Sequence, residues 1–370
     1  MKISDHLEIL GIKLYESSRT TQRENGAKVL KKVKFVADRW KSGRFYDFLL
    51  RPHIVNTYLF SNIWYLAGVI DMQLGQLDEL QKRGNQYVYS DCFLKPQSVV
   101  NFLKKDQMGL GLIHVRTKAL SLFIKNIIHE AKPDMNIYLS AVVDYFCRDI
   151  WVDPVPMKPT FFTDRLGNKI KLVFEKCTDW NTKSIYEVLL QDEFRMDEHF
   201  KLRVELENVH LQTENAVGLV SSRLLSLKVR TCLWKHFHNV IYDEIMKAKI
   251  QNSIAVCRLC TEVDVNKVHV YFSCVKHKGC GRDFMQLLRV QSQNQFTEED
   301  IMNMRIGLQT PLLAWLVGNY LHFVTTSREK CDSANFKVYL SSELETLRRT
   351  KYCDDNFAQD LMLMVEKIDQ

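Results

Sequence analysis

Cys257, Cys260, His269 and Cys274 lie within C-R-L-C-T-E-V-D-V-N-K-V-H-V-Y-F-S-C, and their types and spacing could hold a metal ion. A Cys-x2-Cys pair lets two thiolates from one tight turn reach a single ion, and a His and a third Cys on a returning segment close a tetrahedron. Three sulfurs and one imidazole favour zinc over calcium or magnesium, which take oxygen ligands. With four protein ligands no position is left for an activated water, so the expected ion is structural. Buried cysteines beside a core histidine would give the same residue types; the closed-site spacing argues for one zinc ion. His277 and Cys280 follow closely in V-K-H-K-G-C-G, and either could replace a ligand.

Around this stretch Arg258, Lys267, Lys276, Lys278 and Arg282 form a basic cluster. Tyr271 and Phe272 lie beside it and are read two ways, as base-stacking rings or as core. His236 and His238 are two residues apart and do not share a helix face, so they are read as a surface and a boundary histidine. M-G-L-G-L-I-H-V at 108–115 has no third glycine or following Lys-Ser/Thr, so it is a tight turn before a helix, not a nucleotide loop. Tyr352-Cys353-Asp354-Asp355 spells Y-x-D-D. Its flanks read as two helices with Asp354 or Asp355 capping the second, not as a β-turn presenting carboxylates to Mg²⁺.

A chain of 370 residues can bury a core and suggests two or three domains. Its 46% apolar and 26% charged content is ordinary for a soluble globular protein. No signal peptide is read, and the ten scattered cysteines suggest reduced thiols in a cell interior. Pro311–Val324 is too short to span a bilayer and reads as a buried helix. The net charge of +7 is modest, but Lys28, Lys31, Lys32, Lys34, Arg39, Lys41, Arg44 and Arg51 face only Asp38 and Asp47 between positions 28 and 51. Such a local excess favours a polyanion.

The elements expected to position these groups are mainly α. Residues 7–14 suggest one strand and Glu16–Asn25 a loop. A helix from Ala27 to Lys41 carries Val29, Val33, Val36, Ala37 and Trp40 on one face and Lys28, Lys31, Lys32 and Arg39 on the other. Further helices are expected over Pro52–Asp71, Gln73–Gly84, the stripe Leu120–Ile128, Met135–Phe146, Asn181–Gln191, Ala216–Lys247, Glu298–Leu308, Leu312–Ser327 and Asn356–Ile368. The proline-rich W-V-D-P-V-P-M-K-P reads as a linker, and Lys169–Phe174 as a short strand.

Four stretches together resemble the C-terminal half of a non-LTR retrotransposon reverse transcriptase. L-E-I-L-G-I-K-L resembles the strand that closes the palm. W-K-S-G-R-F-Y-D-F-L-L-R-P-H-I-V-N-T-Y-L-F-S-N-I-W-Y resembles the helical thumb, with Trp40, Arg44, Asn56, Trp64 and Tyr65 at matching places. M-G-L-G-L-I-H-V-R-T-K-A-L is similar to the connector, and V-R-T-C-L-W-K-H-F-H-N with Cys257–Cys274 to the zinc-binding module. The resemblance implies a palm-end remnant over 1–26, a helical thumb-like domain over 27–150, a connecting segment over 151–215, a zinc module over 216–290 and a helical tail over 291–370.

The same resemblance implies that the polymerase carboxylates would precede residue 1, and that no nuclease domain follows. The chain is therefore expected to be no enzyme. It is expected to bind RNA or DNA through Lys28, Lys31, Lys32, Arg39 and Arg44 on the thumb helix and Lys276 and Lys278 beside the metal. A zinc-stapled interaction scaffold and a piece of an active RNA-directed DNA polymerase are the alternatives.

Overall fold

A computed structural model describes residues 6–40, 47–70, 72–90, 92, 94–96, 98–130, 164–194, 216–292, 296–302, 311–350, 353 and 355–368. The fold is mainly α, as expected, with a single two-stranded hairpin among the described residues.

Leu7–Ile9 (β1) pairs antiparallel with Ile12–Leu14 (β2), where one strand had been expected. The reversal falls at Leu10 and Gly11, both at positive φ (50° and 83°), the requirement of a two-residue hairpin turn. The polar stretch read as a loop is helical instead: α1 spans Ser18–Trp40. Its first turns spend their polar side chains on β2. Asn25 accepts from the Lys13 amide at 3.0 Å and donates to its carbonyl, while Thr21 Oγ1 accepts from the Tyr15 amide at 2.8 Å. A polar helix face satisfied by strand backbone looks like a solvated loop in sequence.

The expected helix over Pro52–Asp71 is built in three pieces: α2 (Arg51–Ile54, with Pro52 in its first turn), a π-turn over Val55–Leu59, and α3 (Ser61–Val69). Then come α4 (Leu74–Val88) and α5 (Val115–Glu130). Gly84 lets α4 approach the π-turn, since a Cβ there would stand 2.4 Å from the Phe60 ring. The segment expected as a connector, 151–215, contains α6 (Asp164–Lys176) and α7 (Thr182–Phe194). Lys169–Phe174 is therefore helix, not strand. Ile170 and Val173 are buried with Ile124, Ile185 and Leu189, and this packing against α5 and α7 overrides an alternation that also fits a strand. The expected helix Met135–Phe146 and the proline-rich stretch lie outside the described residues.

The chain divides into two units. One gathers residues 1–46, 50–90 and 112–202; the other gathers 47–49, 91–111 and 203–370. In the second unit, the helix expected over Ala216–Lys247 is split into a short piece at 216–221, α8 (Leu227–Phe237) and α9 (Glu244–Gln251). Asn239 at φ 54° breaks it, and Asp243 restarts it by accepting from the Met246 amide at 2.9 Å. A π-turn over His269–Ser273 leads into α10 (Lys278–Gln291), followed by α11 (Glu298–Met302), α12 (Pro311–Ser327), α13 (Ser333–Thr350) and α14 (Asp355–Glu366). α12 is buried from Leu313 to Val324, the central helix its apolar run implied. Its Tyr320 stacks on Phe284 of α10 at 3.9 Å and meets Phe336 of α13 edge-on at 5.6 Å. The tight turn at 108–111 holds as expected. Gly109 approaches Leu103 so closely that a Cβ would lie 2.1 Å from its carbonyl oxygen, and Gly111 adopts φ 63°.

Candidate metal centre and basic helix face

Cys257 directly follows an antiparallel bridge between Val256 and Val263. Its amide donates to the Glu262 carbonyl at 2.9 Å, and the Thr261 amide returns to the Cys257 carbonyl at 2.9 Å. The positive φ of Thr261 (62°) and Asp264 (58°) tightens this reversal. The turn brings Cys257 and Cys260 to one side, and the amides of Leu259 and Cys260 point at the Cys257 sulfur.

The other two ligands require an unusual backbone. Residues five apart on an α-helix point about 140° away from each other at roughly 100° per residue. Here the chain forms a π-turn, with the Cys274 amide donating to the His269 carbonyl at 3.0 Å. That wider turn brings His269 and Cys274 back to the same side. Asn266 opens it by accepting from the His269 amide at 2.8 Å.

The four candidate ligand atoms converge, all within 4.8 Å of one another. Cys257 Sγ and Cys274 Sγ are 3.8 Å apart, and Cys260 Sγ lies 3.3 Å from His269 Nε2. Cys257, His269 and Cys274 are buried, and Cys260 is half-buried. His277 and Cys280 are outside this group. His277 precedes α10 and is buried, while the Cys280 thiol hydrogen-bonds Cys331.

The electrostatics suit a cation. Burial alone would raise the Cys257 thiol, but the Cys260 and Leu259 amides and the side chains of His269 and Cys260 outweigh it and hold it at about 6. Burial pushes Cys274 up to about 12, helped by its hydrogen bonds with Cys260 and Cys257 and the charge of Cys257, against the Lys276 amide. One thiolate forms readily, and the next is opposed by its neighbour until a positive ion enters. Glu262, which sequence reasoning passed over, places Oε2 3.2 Å from His269 Nδ1. A carboxylate on the far nitrogen turns the near nitrogen toward the ligand cluster. Its only sequence signal is a lone acid two residues after Cys260.

The flanking residues differ from expectation in several places. Tyr271 and Phe272 are core, each 2% exposed; Phe272 packs 5.2 Å from Tyr320, and the Tyr320 hydroxyl donates to the Tyr271 carbonyl at 2.5 Å. The stacking role considered for them is thereby corrected, because the π-turn points them inward. His236 and His238 are both buried. His236 meets Tyr271 edge-on at 4.9 Å and lies 3.2 Å from Thr325 Oγ1. His238 and Trp234 both bond the Met108 carbonyl, at 2.8 and 2.9 Å. Of the basic cluster, Arg258 pairs with the buried Glu244 at 3.2 Å and Lys267 contacts Asn239, while Lys276 and Arg282 are exposed. The Lys278 side chain lies outside what is described. In the Y-x-D-D stretch, Asp355 is the first residue of α14, and Tyr352 and Asp354 lie outside the described residues.

In the other unit, α1 buries Val33 and exposes Lys28, Lys31, Lys32, Lys34 and Arg39. Lys28 is engaged locally, donating to the Gly11 carbonyl at 3.0 Å with Glu8 at 3.9 Å. Lys31, Lys32 and Lys34 form no ion pair among the described residues. Arg44 lies outside them. Phe35, unplaced by the sequence reading, is 67% exposed on this face.

No model of a known protein family matches the chain, and no curated protein matches it. Among the described residues, no helix is long and apolar enough to cross a membrane.

Proposed function

We propose that this chain is a nucleic-acid-binding protein stapled by one structural zinc ion, and that it derives from the C-terminal part of a non-LTR retrotransposon reverse transcriptase. The observation that carries the metal half is the convergence of three Sγ atoms and His269 Nε2 within 4.8 Å. A tetrahedron with Zn–S near 2.3 Å places sulfurs about 3.8 Å apart, and the Cys257–Cys274 separation is 3.8 Å. Zinc would be held by Cys257, Cys260, His269 and Cys274, with Glu262 orienting the imidazole. The four ligands close the site, so the ion supplies folding energy and not chemistry.

The exposed cations of α1 support the nucleic-acid half. Lys31 stands nearly opposite buried Val33, with exposed Lys32 and Arg39 at about 100° and 120° from it, where they would neutralise backbone phosphates without reading sequence. The retrotransposon ancestry rests on the four ordered sequence stretches, and a helical fold entered by a Leu-Gly hairpin is compatible with it. Asp355 opens a helix instead of sitting in a β-turn, which favours a binding role over polymerisation at Y-x-D-D. Lys28, tied to the hairpin, contributes least.

The test is RNA binding by the full chain at two salt concentrations. Affinity should fall steeply with salt, and Lys31→Glu with Lys32→Glu should weaken binding across all sequences. No RNA or DNA retention at low salt would leave a zinc-stapled scaffold, the reading favoured by the internal positions of Tyr271 and Phe272. Mg²⁺-dependent primer extension lost in Asp355→Ala would restore the polymerase reading.

A further inference from the structure

Phe35 lies at the centre of the outward face of α1. At 100° per residue it is nearly opposite buried Val33, with Lys31 one turn before it, Arg39 one turn after it and Lys32 at its flank. At 67% exposure the Phe35 ring leaves most of its apolar surface in water, so burial within its own unit contributes little there. α4, α3 and the hairpin pack against this helix, the hairpin through Thr21, Asn25 and Lys28 in the turns before Phe35, and the ring itself stays exposed. The ring also stands among cations, which would repel an apolar partner carrying its own basic surface. Lys28 and Asp38 complete the neighbourhood, Lys28 held by the Gly11 carbonyl and Glu8.

Duplex nucleic acid would meet the cations but has no use for the ring, because its bases are stacked inside and its exterior is sugar and phosphate. A single strand has both complements. Its phosphates can pair with Lys31 and Arg39, which are separated along the axis by roughly 12 Å, and an unpaired base between them can lie on the ring. Aromatic rings set in a positively charged track are the general means by which single strands are held without sequence preference.

We infer that α1 is a single-strand platform, with Phe35 stacking on an unpaired base while Lys31, Lys32 and Arg39 hold the flanking phosphates. This rests on the nucleic-acid reading above and narrows it to unpaired RNA.

Fluorescence anisotropy of the full chain with a labelled 20-nucleotide single-stranded RNA, and with the same sequence as duplex, tests it. Phe35→Ala should weaken single-strand binding about tenfold and leave duplex binding within about twofold, because base–aromatic stacking is lost only where bases are open. Phe35→Trp should retain the affinity, and its fluorescence should be quenched on binding. Phe35 is exposed, so circular dichroism of these variants should match the parent. If single-strand binding persists, responds to Lys31→Glu and Lys32→Glu, and ignores Phe35→Ala, the platform is wrong and phosphate binding stands. If duplex binds more tightly and loses as much in Phe35→Ala, stacking is likewise excluded. If neither RNA binds at low salt, the nucleic-acid reading fails and takes this inference with it.

Discussion

Replacing Cys274 with serine removes one of the four candidate metal ligands and, if zinc is held there as proposed, releases one end of the π-turn. Between His269 and Cys274 lie Tyr271 and Phe272, each 2% exposed, so the proposed ion and the aromatic core would hold the same five residues from two sides. If the turn opens, both rings lose their seat against Tyr320 and His236. Burying one such side chain is worth about 1.5–3 kcal/mol, so the expected loss is about 3–6 kcal/mol. In a unit of this size each kcal/mol shifts the midpoint by about 2–4 °C, which puts the fall in Tm at about 6–24 °C. Calorimetry of the full chain reads this, with Cys177→Ser as the control, since Cys177 is a half-buried thiol outside the cluster. Hydrogen exchange locates it: the Cys257 and Cys274 amides, bonded to the Glu262 and His269 carbonyls, should lose protection first. The reasoning fails if Cys274→Ser melts within about 2 °C of the control, or if the purified parent carries less than about half an equivalent of zinc.

Glu262→Gln keeps the fold but withdraws the carboxylate from His269 Nδ1, and should weaken zinc affinity about 10- to 100-fold in a chelator competition. Gly281→Ala places a Cβ 2.7 Å from the Phe272 carbonyl oxygen, a backbone atom that cannot swing aside, and should cost about 1–3 kcal/mol by urea unfolding. Burial, with Lys267 second, holds His236 down at about 3, and burial, with Lys228 second, holds His322 at about 4. Unfolded histidine binds its proton below about 6.5, so the unfolded state gains protons first and stability falls as pH drops from about 6.5 toward 4. Each residue adds a slope of up to about 1.4 kcal/mol per pH unit. The urea midpoint of His236→Gln should decline less than that of the parent between pH 7 and pH 5, a difference that acid release of metal cannot produce.

The ligand set was legible in the chain because a thiolate pair, an imidazole and a third thiolate carry their chemistry in their spacing. What the spacing could not convey was the π-turn, since a one-residue change in helical pitch leaves no compositional mark. The errors elsewhere have similar causes. Glu16–Asn25 looked like a loop because Thr21 and Asn25 are polar, yet their partners are strand backbone distant in sequence. Lys169–Phe174 fits two periods, and only packing with Ile124 and Leu189 selects the helix. His236 and His238 were placed by face counting, which ignores that Tyr271 and Met108 come to them from other segments.

By itself, the order of residues determined that this protein is mainly helical, that α12 is buried, and that four ligands could close on one ion. These follow from side-chain periodicity and donor chemistry, which are local. Only the tertiary arrangement decided which rings turn inward, which carboxylate steadies His269, and that Phe35 faces solvent among lysines. Those outcomes depend on which distant segments come to occupy each face, and no window along the chain contains both partners.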